Sequence, residues 1–273
     1  GRIAAEEFAL VQVVLADAEL PPASTVNEGR KATKRLRALL RLAAPAMPDA
    51  RNEIRALREA AASLSALRDR SALSEVVPRL DLPGDISDPM KRLLAPKRAA
   101  ATRLSRSLLS DFAGRIEDAA ARAESWRLSE KGWHALEAGL ERSHRRFCNA
   151  ARAARHADSE DPVHELRKRA KDHWYQTLLL RSAFPEAMEG YASAGERLSD
   201  DLGDWRDFGL LEDVVRLAPA RRLSTAEAEA ALEVIGKARR RALKRAFRTV
   251  RLLTAESPSD YASRIATWWH VST

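Results

Sequence analysis

Val163-His164-Glu165-Leu166-Arg167-Lys168, with Lys171 one turn further on, has an earlier counterpart in Val26-Asn27-Glu28-Gly29-Arg30-Lys31, with Lys34 one turn further on. The earlier stretch closes at Pro48 and the later one at Pro185. Downstream, Leu64 through Arg68-Asp69 matches Leu202 through Arg206-Asp207, with a register change of a single residue. Two matched anchors at a nearly constant offset define an internal repeat, in which each unit buries its apolar face against its neighbour. The chain is therefore expected to fold as two similar helical halves, residues 1–127 and 128–273, each leaning on the other.

Outward from these anchors, helical periodicity covers nearly everything. The breaks are short: Pro21-Pro22, Pro45 to Pro48, a looser stretch from Pro78 to Pro89, then Pro162, Pro185, Pro219 and Pro258. Asp161 is the expected N-cap of the second motif helix, with Pro162 at its first helical position. Apolar residues make up 45% of the 273, and glycine and proline number only 11 and 12, so the chain can build a core and is rich in helix formers. Runs of β-branched residues are nearly absent, which leaves little to make strands from. The expectation is an all-α protein of antiparallel bundles. No stretch approaches the roughly 20 apolar residues that span a bilayer, and the N-terminus shows no basic-then-apolar signal pattern. The single cysteine, Cys148, excludes an internal disulfide framework and a multi-cysteine metal site, and fits a reducing cytosol.

The charge is patterned. On a wheel of about 3.6 residues per turn, Asn27, Arg30, Lys31, Lys34, Arg37 and Arg41 share an arc of roughly 120°. Val26, Gly29, Ala32, Leu36 and Leu40 occupy the other side. The second motif gives the same wheel, with His164, Arg167, Lys168 and Lys171 on the polar side. Two more stripes follow, Arg142, Arg145, Arg146 and Arg152 in one helix, and Lys237, Arg240, Arg241, Lys244, Arg248 and Arg251 in another. Arg103 and Arg106 are a poorer first-half match to the last of these. A solvated helix face mixes signs, because like charges at i, i+4 repel by about 0.2–0.5 kcal/mol per pair. Several single-sign stripes, together with a net charge of +8, point to a polyanionic partner: nucleic acid, a membrane surface or a phosphate polymer. Helix-turn-helix, zinc and RNP-type signatures are missing, and the tryptophans do not interleave with the stripes as a base-stacking platform requires.

These residues are where a family resemblance enters. Val163 to Lys171, the first-half stretch Val26 to Arg37, and Leu202-Gly203-Asp204-Trp205-Arg206-Asp207 resemble the motifs of the CHAD (conserved histidine α-helical domain) family. The resemblance implies two four-helix bundles facing each other across a basic central cavity. It also implies binding of inorganic polyphosphate there and association with cytoplasmic polyphosphate granules and their proteins. The alternating Glu-x-Glu-x-Lys of the triphosphate-tunnel enzymes to which the family is sometimes fused does not occur, so a binding module is expected. Its expected contacts are Arg30, Lys31, Lys34, Arg37, Arg142, Arg146, His164, Arg167, Lys168, Lys171, Arg241, Lys244 and Arg248.

Asn27 stands where the family pattern has histidine; it can hydrogen-bond a phosphate oxygen but cannot take up a proton's charge, which speaks against a symmetric two-histidine mechanism. His164 has two readings, a phosphate ligand at a helix N-terminal turn or a hydrogen-bonded structural histidine. His134, His144, His156, His173 and His270 show no metal-ligand spacing. Asp69 and Asp207 are expected to cap a helix or pair with a cation, and Cys148 to be buried and inert. No catalytic residue, metal or cofactor is expected. The alternatives are a nucleic-acid-binding helical protein, with nucleic acid otherwise only a competing polyanion, a scaffold for a phosphate-metabolising enzyme, or an enzyme acting on phosphate chains.

Overall fold

The computed structural model describes residues 2–17, 19–64, 73, 75–95 and 101–272. Arg68, Asp69 and the side chains of Arg103 and Arg106 lie outside the described residues. The described chain is all-α, without a strand. Its helices are α1 (Arg2–Ala16), α2 (Pro22–Ala43), α3 (Ala50–Ser63), α4 (Gly84–Leu94), α5 (Ala101–Ala123), α6 (His134–Arg155), α7 (Asp161–Leu179), α8 (Pro185–Arg216), α9 (Thr225–Leu253) and α10 (Pro258–Ser272). Among the described residues, no helix is long and apolar enough to cross a membrane.

The boundaries follow local chemistry. Pro22 and Pro185 sit in first turns, where a missing N–H costs nothing. Ser224 and Glu227 close a capping box on α9. Gly132, at φ 55°, supplies the left-handed residue that turns the chain into α6. The second motif helix begins one residue earlier than expected: Asp161 is already helical, and Glu160 occupies the cap position without a side-chain capping bond.

Two apolar cores result. Helices α1, α2, α3 and α5 enclose Phe8, Val26, Leu36, Leu40, Leu57, Phe112 and Ile116. Helices α6 to α9 enclose Phe147, Leu166, Leu198, Trp205, Leu211, Ile235 and Val250. Each such aliphatic or aromatic side chain contributes about 1.5–3 kcal/mol on burial. The segment from Leu73 to Leu94 precedes residue 128 in sequence, yet its Val76, Val77, Ile86 and Met90 lie in the core of α6 to α9. Arg79 fastens this segment by ion pairs to Asp204 and Asp207 of α8. A third cluster lies between the two cores, with Leu42 of α2 packed among Trp133, Leu140, Met188 and Tyr261.

The seam itself is α2 against α6 and α7. Helices α2 and α7 run antiparallel there: Arg41 meets Asp172 at 2.9 Å, and the Ala38 carbonyl, one turn earlier, accepts from Gln176, one turn later. Helix α6 closes in through Gly139, where an added Cβ would lie 1.8 Å from the Leu42 carbonyl oxygen. Only glycine allows this approach, and it aims the next turn of α6, with Arg142, along the seam.

Candidate anion-binding trough

The seam leaves a hollow of about 570 Å3 between α2, α3 and α7. Helix α2 contributes Lys34, Arg37 and Arg41; α3 contributes Arg51, Arg55 and Arg58; α7 contributes Arg167, Lys168, Arg169 and Lys171. Ten cationic side chains thus face two carboxylates, Glu165 and Asp172, with Tyr175 and Ile54 completing the wall. A second hollow of about 290 Å3 adjoins it, where Arg142 and Arg146 of α6 join Arg41, Arg51, Ile54 and Arg169. Four residues, Arg41, Arg51, Ile54 and Arg169, line both hollows, so the two form one basic trough.

Both carboxylates are already engaged. Asp172 accepts from Arg41 at 2.9 Å and from Arg169 at 3.0 Å, and Glu165 accepts from Arg169 at 2.7 Å and Lys168 at 3.3 Å. Burial pushes the Asp172 carboxyl up and the Arg41 guanidinium down, while each partner's charge opposes the shift. Arg37 is pushed down to about 10 by burial and by the neighbouring guanidinium of Arg41. A guanidinium moved that far is under cationic stress, since arginine otherwise stays protonated to about pH 12 or beyond. An anion in the trough would relieve it through charge-assisted bonds. Lys171 also donates to Ser199 Oγ on α8 at 2.8 Å.

Of the expected contacts, the larger hollow gathers Lys34, Arg37, Arg167, Lys168 and Lys171, and the smaller takes Arg142 and Arg146. The other six stand elsewhere. Arg30 donates to the Ala61 carbonyl near the end of α3, and Lys31 pairs with Glu28. His164 packs edge-on to Trp205 with Glu160 at 3.7 Å, and burial together with Arg206 draws its pKa down. Arg241, Lys244 and Arg248 are exposed on α9 and line neither hollow. Asp207, expected to cap a helix or pair with a cation, pairs with Arg79.

Sequence reasoning missed the α3 row. Arg51, Arg55 and Arg58 keep i, i+4, i+7 spacing, but Glu53 and Glu59 among them make the stretch read as an ordinary mixed face. Glu53 in fact turns inward and accepts both bonds of Arg122, at 2.9 and 3.1 Å, and among the described residues no carboxylate pairs with Arg51, Arg55 or Arg58.

The CHAD domain family model matches residues 9–216, and the chain belongs to that family. No curated protein and no solved structure matches the chain.

Proposed function

We propose that the trough binds inorganic polyphosphate and that the protein is a non-catalytic binding module, which its family membership favours. The observation that carries this reading is the convergence of ten cations from three helices on one hollow. A linear phosphate chain offers a negative charge at each unit and bends to follow a curved wall. A rigid duplex of the width of DNA has no such fit to a hollow of about 570 Å3. Both carboxylates are held by guanidinium or ammonium groups, so neither is free to carry a metal or take a proton in phosphoryl transfer. Granule association follows as the cellular counterpart of this binding.

The test is a titration of the full chain with long-chain polyphosphate at several salt concentrations, with single-stranded DNA as competitor and magnesium present. Binding that weakens steeply with salt, resists DNA and releases no orthophosphate is expected. Reversing Arg167 and Lys171 together to glutamate should lower affinity by about 100-fold, from two charge-assisted contacts at about 1.5 kcal/mol each. The salt slope should flatten by about one unit or more. Unchanged affinity in that variant overturns the site; equal preference for DNA leaves the trough a general polyanion groove.

A further inference from the structure

The last turns of α6 and the end of α9 meet around a third hollow, of about 320 Å3. Its rim holds Arg152 and Arg155 of α6 and Arg251 of α9, over Cys148, Ala151 and Thr254. At about 3.6 residues per turn, Cys148 and Arg155 fall on the opposite side of α6 from Gly139, Arg142 and Arg146, and Arg152, at the edge of the Arg142–Arg146 stripe, leans to the side of Cys148. The body of the helix therefore separates this hollow from the trough.

Each guanidinium alone has an ordinary account, because a cation in a helix's last turn complements the dipole. That account does not require three of them to meet around one depression. Elsewhere on these two helices Glu141 pairs with Arg145, Glu233 with Lys237, Glu212 with Arg239 and Asp201 with Arg245, while Arg241, Lys244 and Arg248, which also pair with no carboxylate among the described residues, are spread along one exposed face instead of meeting around a depression. Around the hollow, among the described residues, no carboxylate pairs with Arg152, Arg155 or Arg251; Arg152 donates only to Asn149 Oδ1, at 3.1 Å. The thiol of Cys148 supplies no balancing charge, since burial pushes its pKa up. Like charges gathered this way repel, and a phosphoryl group offers planar guanidinium forks the bidentate acceptors that would offset the repulsion.

We infer that the hollow between α6 and α9 is a second anion site, taking a phosphoryl segment of a condensed phosphate independently of the trough. The choice of condensed phosphate rests on the reading of the trough; the existence of an oxoanion site does not. An anion entering here displaces no carboxylate, whereas one entering the trough meets Glu165 and Asp172. Two sites on opposite sides of one helix let the protein hold two segments, of one polymer or of two, and raise its avidity for long chains over short ones.

Cys148 is the only cysteine in the chain and lies in this hollow, so its chemistry reports occupancy. The measurement is the rate at which neutral iodoacetamide alkylates the folded full chain, with and without tripolyphosphate, at ionic strength matched with sodium chloride. Each protein is read as the ratio of its own two rates. With ligand at ten times its Kd, the wild-type rate should fall about tenfold by mass action. The R152Q/R155Q/R251Q variant should lose that protection and keep binding long-chain polyphosphate in the trough. The R167E/K171E variant should keep the protection. Wild-type alkylation that ignores tripolyphosphate overturns the site, as does protection that survives the triple substitution. Protection that persists while R167E/K171E leaves polyphosphate affinity unchanged upholds this site and sinks the trough.

Discussion

The trough and the outer face of α9 carry cations at the same helical spacing, yet they are different objects. In the trough, three helices turn their rows toward one another, and Arg37 loses solvent until its pKa drops to about 10. On α9, Arg241, Lys244 and Arg248 point outward into water, which screens them within about 8–10 Å at ordinary salt. Their neighbours Lys237 and Arg245 are answered by Glu233 and Asp201. On the proposed reading, a cationic row binds an anion where helices bring it into a hollow and desolvate it, and the exposed row of Arg241, Lys244 and Arg248 acts mainly as solubilising charge.

The sharpest way to break this contrast is to remove an acid from each region. Asp172→Ala leaves Arg41 and Arg169 without their shared carboxylate and should cost about 3–5 kcal/mol, the usual loss on breaking a buried pair from one side. Thermal unfolding should show the loss, and added polyphosphate should restore part of it, because the anion takes the carboxylate's place. If polyphosphate binds the variant more weakly than wild type, Asp172 orders the trough instead of competing for it. The matching change on α9, Glu233→Gln, breaks only an exposed pair and should leave Tm where it was.

A second contrast separates the trough from the core behind it. In the trough, burial pushes the Glu165 carboxyl up but the bonds of Arg169 and Lys168 outweigh it and hold the group low, so its contribution is lost only as pH falls through the carboxylate range. His144 and His173 are buried beside Tyr261 and Phe147, with ring centroids 5.4 Å apart, and burial draws their pKa values down to about 4 and about 3. The unfolded chain takes up protons at these histidines near pH 6.5, whereas the folded chain refuses them. Their contribution is therefore complete above pH 6.5 and drains away as pH falls toward 4, at about 1.4 kcal/mol per pH unit per histidine. Replacing His173 by Phe should flatten the fall of Tm between pH 6.5 and 4; an unchanged slope places the acid sensitivity in the carboxylates. Smallest of all should be R241Q/K244Q on α9, which should change polyphosphate affinity by less than about threefold, in line with exposed charges. A loss as large as that of R167E/K171E would erase the distinction between the two faces.

Much of this was legible beforehand. The periodicity of α2 and α7 placed Val26, Leu36 and Leu40, and Val163 and Leu166, in the cores where they lie. The motif residues Lys34, Arg37, Arg167, Lys168 and Lys171 were legible as one chemical set. Arg41, a member of the first basic arc, and Arg169, within the second motif, are not among the expected contacts, because their importance comes from a partner, Asp172, on the facing helix or one turn away. His144 and His173 lie on separate helices and share no spacing that would announce a pair. The placement of Leu73 to Leu94 against the later helices was equally hidden, since apolar periodicity says that a face is buried and not what it is buried against.

What the amino-acid sequence determined by itself was the set of helices, the duplicated motif and the sign of each polar face, because these depend on residues three and four apart along one chain. Which faces meet, which acids turn inward and where a hollow opens were decided only when the helices crossed. The approach of α6 to α2 at Gly139 and the antiparallel seam of α2 and α7 set those crossings, and desolvation at the seam is what separates its cations from an ordinary charged surface.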